Sequence, residues 1–206
     1  MSYEASIDYL YGLQKHGIKA GLNNTRRILT TLGNPETSFK SIHIAGTNGK
    51  GSVAAMTASI LKSHGLKTGL FTSPHLISFT ERIRIDGIEI TAHEVAALTE
   101  EITYCIAEIK NNLSDDFIPT FFEVVTAMAF LYFKRNNIDW AVIETGMGGR
   151  LDATNVITPE VAVITKISYD HKEFLGNTIK DIAMEKAGII NNKIPIVSTI
   201  QEKEAE

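Results

Sequence analysis

Five short runs of apolar residues alternate with longer amphipathic segments along this chain of 206 residues. The runs lie at Ser41–Ala45, Thr68–Phe71, Trp140–Glu144, Val161–Ile167 and Pro195–Ser198. Their apolar residues are mostly consecutive rather than alternating, which is typical of strands covered by helices on both faces. This order predicts an α/β fold: a three-layer, P-loop-type domain with a mainly parallel sheet flanked by helices.

Three helices and one hairpin are predicted between these strands. The first helix begins near Lys50 and carries an apolar stripe at helical spacing. Each of the other two begins with a threonine that is followed three residues later by a glutamate, which is the pattern of a capping box. The stripe residues are Val53, Met56, Thr57, Ile60, Leu61 and His64, and the two capping pairs are Thr91 with Glu94 and Thr120 with Glu123. A β-hairpin is predicted near residues 82–90, because Asp86-Gly87 favours a tight turn.

Charge and composition exclude several classes of protein. The net charge of −4 gives no basic field for a nucleic acid. The single cysteine, Cys105, excludes an internal disulfide and is interpreted as a packed thiol in a reducing compartment. Residues 1–10 lack the basic start of a signal peptide, and the apolar stretch Ala127–Phe133 is too short to span a bilayer. We therefore expect a cytoplasmic protein with small-molecule substrates and with neither a nucleic-acid nor a membrane partner.

Polar residues cluster where four of the predicted strands end. The clusters occupy residues 46–52, 72–75, 144–150 and 168–171. In an open parallel sheet, ligands bind beyond the carboxyl ends of the strands, where backbone groups and helix N-termini converge. We therefore expect the four clusters to form one site.

The first cluster has the chemistry of a phosphate-binding loop. Its glycines allow the backbone to approach an anion, and the helix that follows directs free N–H groups at it. The residues expected to hold the phosphates are Gly46, Thr47, Asn48, Gly49, Lys50, Gly51 and Ser52. The segment departs from the usual P-loop pattern, because Ile44 stands where the first glycine is expected and Gly51 separates Lys50 from Ser52. A glycine-rich turn without a ligand is the alternative.

Three residues in the later part of the chain are further candidates. Glu144 ends an apolar run and is interpreted as an oxygen ligand of Mg²⁺, with a loop-capping acid as the alternative. Asp170-His171, taken alone, is typical of a turn with a surface histidine. Lys186 falls on the apolar stripe of a helix after Gly176, where a lysine either reaches the surface or is buried with a lowered pKa. The pattern alone favours the surface.

Six blocks of the sequence resemble folylpolyglutamate and dihydrofolate synthases, which are relatives of the Mur ligases. The blocks are His43–Ser52, Thr72–His75, Ser78–Arg84, Phe122–Ala129, Glu144–Asn155 and Asp170–Gly188. The second block and the hairpin after it favour the folate branch over the Mur branch.

The resemblance implies an ATP-dependent ligase that phosphorylates a carboxylate of dihydropteroate or folate and lets the amine of L-glutamate displace the phosphate. Lys50 and the loop amides would hold the phosphates of ATP. One Mg²⁺ would be bound by Ser52, Ser73 and Glu144, and a second by Glu144, His171 and a carbamylated Lys186. His75 and Arg82 would either approach the pterin or only pack the loop that carries them.

Length sets the expected domain organisation, because family members are roughly twice as long and carry a second α/β domain. We expect residues 1–206 to be an N-terminal ATP-binding domain of the Mur ligase central type, truncated and without the C-terminal glutamate-ligase domain. The full-length protein is expected to be a monomer. Two alternatives stay open: a Mur-type ligase acting on a UDP-muramyl substrate, and an inactive nucleotide-binding fragment.

Overall fold

One sheet flanked by helices forms the centre of the molecule. The structure is a computed structural model that describes residues 1–17, 19, 21–112, 117–191 and 194–206. Within these ranges the strands are β1 (Lys40–Ala45), β2 (Thr68–Phe71), β3 (Ile83–Ile85), β4 (Ile88–Glu89), β5 (Trp140–Glu144), β6 (Val161–Ile164) and β7 (Ile196–Ser198). The α-helices are α1 (Tyr3–Gly12), α2 (Asn23–Thr31), α3 (Lys50–Ser63), α4 (Ala92–Asn112), α5 (Phe121–Arg135), α6 (Lys172–Leu175) and α7 (Ile179–Lys186).

The strand order is β4-β3-β2-β5-β1-β6-β7. Strands β2, β5, β1, β6 and β7 are mutually parallel, whereas β3 and β4 add an antiparallel hairpin at one edge. The hairpin turns at Asp86 and Gly87, which have φ angles of 51° and 80°. Positive φ at both turn residues is the backbone that Asp-Gly favours. The predicted α/β fold with a mainly parallel sheet and a hairpin near residues 82–90 is confirmed.

All five predicted strands are present, with differences at three ends. β1 begins at Lys40, one residue earlier than predicted. β6 ends at Ile164 rather than Ile167, because the chain leaves the ladder there. The Lys166 carbonyl instead accepts hydrogen bonds from the N–H groups of Thr47 and Asn48 at 2.9 and 3.1 Å. The last strand begins at Ile196, one residue later than predicted.

The two faces of the sheet are covered very differently. Side chains alternate along a strand, so Ala141 and Ile143 of β5 lie on one face while Val142 lies on the other. Ala141 and Ile143 belong to a large buried cluster with residues of α1, α2, α4 and α5. Val142 belongs to a small cluster under α3. The first face therefore holds most of the hydrophobic core.

The buried side of α3 differs from its predicted apolar stripe. Met56 and Ile60 are 58% and 59% exposed. The helix instead packs through Ala54, Ala58 and Leu61, at positions i, i+4 and i+7, together with Val53. The small residues Ala54 and Ala58 at this face let α3 lie close to the sheet, while Met56 and Ile60 point away from it.

Both predicted capping boxes are confirmed. The Thr120 hydroxyl accepts from the Glu123 N–H at 3.3 Å, and Glu123 accepts from the Thr120 N–H at 2.6 Å. Thr91 and Glu94 form the equivalent pair at the start of α4. α5 is buried over nearly its whole length, as its continuous apolar composition predicts. In the described part of the chain, no helix is long and apolar enough to cross a membrane.

Cys105 packs in the main core, as predicted. Its thiol is buried, and burial raises the pKa to about 11. Helices α1 and α2, which precede the first predicted strand, were not predicted. They pack on α4 and α5 and complete the covered face of the sheet.

Candidate active site

The carboxyl ends of β2, β5, β1 and β6 are neighbours in the sheet, and the segments that follow them contact each other. The Ser73 N–H donates to Glu144 Oε2 at 3.0 Å and joins the end of β2 to the end of β5. The Thr47 hydroxyl donates to the Ser168 carbonyl at 3.0 Å and joins the end of β1 to the end of β6. The structure therefore brings the four predicted polar segments to one edge.

The loop after β1 has a backbone that depends on glycine at two positions. Gly46 has a φ of 147°, and a Cβ there would lie 1.9 Å from Thr165 Oγ1. Gly49 precedes the first turn of α3 with a φ of 86°. The turn presents the free N–H groups of a helix start, which favour an anion.

Lys50 lies at the first position of α3, at the mouth of this loop. Its Nζ donates to the Gly46 carbonyl at 3.0 Å and to the Thr47 carbonyl at 3.3 Å. Within the described residues, the hydrogen bonds of the ammonium group go only to these neutral carbonyls, and the Glu144 charge acts on it without a hydrogen bond. These weak partners leave it available to an anionic ligand, which would make the stronger charge-assisted bonds.

Glu144 is a buried carboxylate at the end of β5 and is 4% exposed. Burial raises its pKa, while the Ser73 N–H and the charge of Lys50 act in the opposite direction. A Cβ on Gly51 would lie 3.6 Å from Glu144 Oε2, so the first turn of α3 passes directly beside the carboxylate. An acid in this setting is stabilised as an anion by a bound cation.

The residues near Glu144 fit the donor set that Mg²⁺ requires. Mg²⁺ takes hard oxygen ligands, usually one or two carboxylates together with phosphates and water. Glu144 supplies a carboxylate, and Ser52 and Ser73 supply hydroxyl groups on the two adjoining segments. In the ranges that the structure describes, no group of three or more His, Cys, Asp or Glu side chains forms a ready metal cluster.

Lys186 is buried at the end of α7 and is 1% exposed, so the surface position that the pattern alone favours is wrong. Its Nζ donates to the Gly46 carbonyl at 2.8 Å and lies 3.6 Å from Asp170 Oδ2. Burial and the nearby charge of Lys50 lower the pKa of Lys186 to about 8. Two lysines from different parts of the chain therefore share one loop carbonyl.

His171 lies on the segment after β6 and remains about half exposed. Its Nε2 lies 3.4 Å from Asp170 Oδ1, and the residue has a left-handed φ of 40° just before α6. Asp170 thus lies between the imidazole of His171 and the ammonium group of Lys186. The structure brings these three groups to the same edge as the glycine-rich loop.

Asp152 fixes the loop after β5, a role that the sequence did not reveal. Its Oδ2 accepts from the N–H groups of Gly146 and Met147, both at 2.8 Å. Its Oδ1 accepts from the Thr154 N–H at 3.0 Å and from the Thr154 hydroxyl at 2.5 Å. A buried carboxylate with four donors holds the loop in one conformation, although burial still raises its pKa.

This network continues to His43 on β1. Since the Thr154 hydroxyl donates to Asp152, its oxygen accepts from the N–H of His43 Nε2 at 2.8 Å. The imidazole is fully buried and neutral, because burial lowers its pKa to about 3. His43 therefore ties the loop after β5 to the strand that carries the glycine-rich loop.

An open cavity of about 540 Å³ lies beside these segments. One wall is apolar and aromatic, with Phe121 and Phe122 from the start of α5 and Phe174 from α6. Ser73, Met147 and His171 also line it, so the cavity is continuous with the polar edge of the sheet. A flat aromatic ligand with a polar end fits this lining. The sequence placed Phe122 in a matching block but did not predict the cavity.

A glycine-rich loop at the end of a central parallel strand, with a buried carboxylate on the neighbouring strand, defines an α/β domain of the P-loop type. The chain belongs to the Mur ligase family, since residues 44–200 match the model of the Mur ligase middle domain.

Named relatives lie in the folate branch of this family. A dihydrofolate synthase/folylpolyglutamate synthase of Bacillus subtilis is 43% identical over 205 residues, which are 99% of this chain and 47% of that protein. A folylpolyglutamate synthase of Lacticaseibacillus casei is 42% identical over 203 residues, which are 96% of this chain and 46% of that protein. The chain thus spans about half the length of these relatives.

Solved structures agree with the same assignment. The apo form of L. casei FPGS superposes with a TM-score of 0.95 at 38% identity, over 100% of this chain and 50% of that one. A structure described as an FPGS–AMPPCP–folate complex superposes with a TM-score of 0.90 at 40% identity, over the same shares of the two chains. The predicted resemblance to folylpolyglutamate and dihydrofolate synthases is confirmed.

Proposed function

We propose that this chain is the ATP-binding part of a ligase that adds L-glutamate to a folate or a dihydropteroate. In this reaction ATP phosphorylates a carboxylate of the acceptor, and the amine of glutamate then displaces phosphate from the acyl phosphate. The observation that carries the proposal is the convergence of Lys50, Glu144 and Lys186 on the glycine-rich loop at residues 46–52.

The loop supports the binding of the ATP phosphates. Backbone N–H groups from residues 49–52 would cradle the β- and γ-phosphates, because those of Thr47 and Asn48 donate to the Lys166 carbonyl. Lys50 would move from the loop carbonyls to the phosphate oxygens. This exchange replaces neutral hydrogen bonds by charge-assisted ones. The protein's contribution to phosphoryl transfer is then chiefly positioning and stabilisation of charge.

Ser52, Ser73 and Glu144 would hold one Mg²⁺ between the loop and the strand ends. When bound, the ion would neutralise phosphate charge and align the phosphates for in-line transfer. Glu144 is suited to this role because it is a buried carboxylate that accepts, among the described residues, one hydrogen bond, from the Ser73 N–H.

The environment of Lys186 supports the carbamylation that the resemblance implies. A pKa near 8 leaves roughly a tenth of the amine neutral at pH 7, and only the neutral amine adds to CO₂. Carbamylation would turn the cation into an oxygen donor that, with Glu144 and His171, could hold a second Mg²⁺. An intact mass increased by about 44 Da (the mass of CO₂), absent from Lys186→Met, would test this modification.

The aromatic cavity supports a pterin-containing acceptor. Planar rings stack well on phenylalanine side chains, and the cavity opens toward Ser73, beside the proposed Mg²⁺ site. The relatives named as folate enzymes, and the neighbour described as a complex with AMPPCP and folate, support the same substrate class. We infer a cytoplasmic, monomeric enzyme in folate and one-carbon metabolism.

ADP release that depends on Mg²⁺ and glutamate tests the proposal, with dihydropteroate, a reduced folate and a UDP-muramyl substrate offered separately. We expect release with a folate-type acceptor and no release with the muramyl substrate, and Lys50→Ala should abolish it. Release with the muramyl substrate alone would establish the Mur-type alternative. Binding of AMPPCP without release under any condition would make the 206-residue chain a nucleotide-binding part without activity of its own.

A further inference from the structure

Arg82 is a buried cation without a carboxylate partner among the described residues. The residue is 7% exposed and lines the aromatic cavity. Its Nε donates to His75 Nδ1 at 2.7 Å, and its guanidinium lies 5.3 Å from the centre of the Phe121 ring. Within the described ranges, neither Nη atom has a hydrogen-bond acceptor. An arginine keeps its charge at any physiological pH, so burial without an anion is unfavourable.

The acid nearest in sequence does not serve as the partner. The Glu81 carboxylate accepts from the N–H groups of Leu76, Ile77 and Ser78 at 2.9, 2.8 and 2.6 Å. These bonds hold the pKa of Glu81 at about 2 and commit its oxygens to the loop. By contrast, Arg84 on the hairpin pairs with Glu89 at 3.4 Å.

Neighbouring side chains fix the direction of the Arg82 guanidinium. Because His75 Nδ1 accepts from Arg82, the other ring nitrogen of the neutral imidazole carries the hydrogen and donates to the Tyr11 hydroxyl at 3.2 Å. Tyr11 in turn stacks on Phe121, with the ring centres 5.7 Å apart. The Nε edge is held on one side, and the two Nη groups remain for a ligand in the cavity. Such a fixed fork matches a carboxylate in bidentate geometry.

We propose that Arg82 binds a second, non-reacting carboxylate of a substrate that already carries a glutamate. The inference rests on the proposed function and deepens it. A dihydropteroate has one carboxylate, which reacts. A folate has an α- and a γ-carboxylate on its glutamate, and when one reacts the other must be accommodated. Arg82 makes the cavity favour glutamylated acceptors over dihydropteroate.

The contacts of the Arg82 guanidinium differ from those of the groups expected to meet the phosphate. The reacting carboxylate must meet the γ-phosphate, near Lys50 and Glu144. Arg82 instead extends toward the end of α1 and the start of α5, where it contacts His75 and Phe121. Lys19, another cation at the cavity, is exposed and donates to the Ile118 carbonyl at 2.9 Å. Arg82 is therefore the buried cation suited to a second anion.

Calorimetric titration of this chain with dihydropteroate and dihydrofolate tests the proposal, because the two ligands differ only by the glutamate. Arg82→Gln is expected to weaken dihydrofolate binding by about tenfold or more, since it removes a charge-assisted bidentate contact. Binding of dihydropteroate should change less than about twofold, since its single carboxylate does not reach Arg82. Arg84→Gln, a matched change on the adjacent hairpin, should alter neither affinity.

Arg82→Lys keeps the charge but loses the planar fork, and we expect an intermediate loss for dihydrofolate alone. This variant decides the question if Arg82→Gln does not fold, as judged by its circular dichroism spectrum. Equal losses for the two ligands, or no loss for either, would overturn the role of Arg82 while leaving the proposed function standing. A wild-type chain that binds AMPPCP but neither pterin would overturn the proposed function together with this inference.

Discussion

Two loops at the same edge of the sheet are held in shape by different interactions. The loop at residues 46–52 takes its shape from glycine backbone angles, and its lysine rests on loop carbonyls. The loop at residues 145–155 is held by the buried Asp152, which accepts four hydrogen bonds. The first loop ends in a helix start, whose N–H groups at residues 49–52 take no partner within the helix. In the second loop, the central carboxylate already has four donors.

This difference indicates that the first loop binds a ligand and that the second holds neighbouring residues in position. A loop with unused N–H groups and a cation gains its full set of partners only when an anion arrives. A loop whose buried carboxylate is fully paired is already in its final conformation and can position its neighbours. Outside Gly46, whose backbone requires glycine, substitutions in the first loop should therefore change ligand affinity with little effect on folding. Substitutions in the second should change the free energy of unfolding.

Asp152→Ala should have the largest effect on stability. It leaves the N–H groups of Gly146 and Met147 without an acceptor in a buried setting, and we expect the free energy of unfolding to fall by about 4 kcal/mol. Urea denaturation followed by circular dichroism measures this loss. The control is Asp181→Ala, which removes an exposed carboxylate that accepts from Thr178 at the start of α7 and should cost much less. Similar losses in the two variants would show that the second loop is not the rigid one.

Lys50→Ala should produce the opposite pattern. We expect AMPPCP binding in the presence of Mg²⁺ to weaken by about 2 kcal/mol, the typical contribution of a hydrogen bond to a charged group. Stability should change by less than about 1 kcal/mol, since the Gly46 carbonyl keeps its bond from Lys186 and the repulsion between the two lysines is relieved. Calorimetry and urea denaturation on the same samples measure both quantities. Lys62→Ala, at the far end of α3, should leave the affinity unchanged.

The elements of the sheet could be predicted because their signals are local. Continuous apolar runs, capping pairs and an Asp-Gly turn each occupy a few residues, and the structure contains all of them. The glycine-rich loop and Glu144 were predictable for a related reason, since both follow a strand directly. Where a parallel strand ends, the position of the next few residues is already known.

Burial depth and long-range pairing could not be predicted in the same way. Lys186 has the same helical spacing whether it reaches solvent or points inward, and only the packing of α7 against the loop after β1 decides between them. The pairing of His43 with Thr154 joins residues on different elements. The role proposed for Arg82 rests on its lack of a carboxylate hydrogen-bond partner among the described residues, which spacing along the chain does not reveal.

Acid should weaken the link between the two loops through His43. Its pKa is about 3 when folded and 6.5 ordinarily, so the unfolded chain binds the extra proton first as the pH falls. The stability it contributes is present above pH 6.5 and is lost between there and about pH 3. At pH 5 the stability that has been lost amounts to about 2 kcal/mol. His43→Gln should reduce the loss of stability between pH 7.5 and pH 5 by about that amount in urea titrations. An unchanged loss in the variant would mean that His43 is not buried as a neutral group.

The same glycine-to-alanine change in each loop gives the most closely matched comparison of their packing. Its expected effect on stability is the smallest of those predicted. A Cβ on Gly149 would lie 2.7 Å from the Lys186 carbonyl oxygen and 2.9 Å from that of Glu185, both backbone atoms that cannot rotate away. Gly149→Ala should therefore destabilise the chain by at least about 1 kcal/mol. A Cβ on Gly51 meets Glu144 at an ordinary 3.6 Å, and Gly51 lies in a helical turn, where alanine is favoured by up to about 1 kcal/mol.

Thermal unfolding of Gly149→Ala and Gly51→Ala, side by side, would measure this contrast. We expect the first to lower the midpoint and the second to leave it unchanged or raise it slightly. Equal destabilisation would mean that the first turn of α3 packs as tightly as the loop after β5. The glycine-rich loop would then be a rigid part of the fold, and its unused donors would no longer distinguish it as the element that changes when ligand binds.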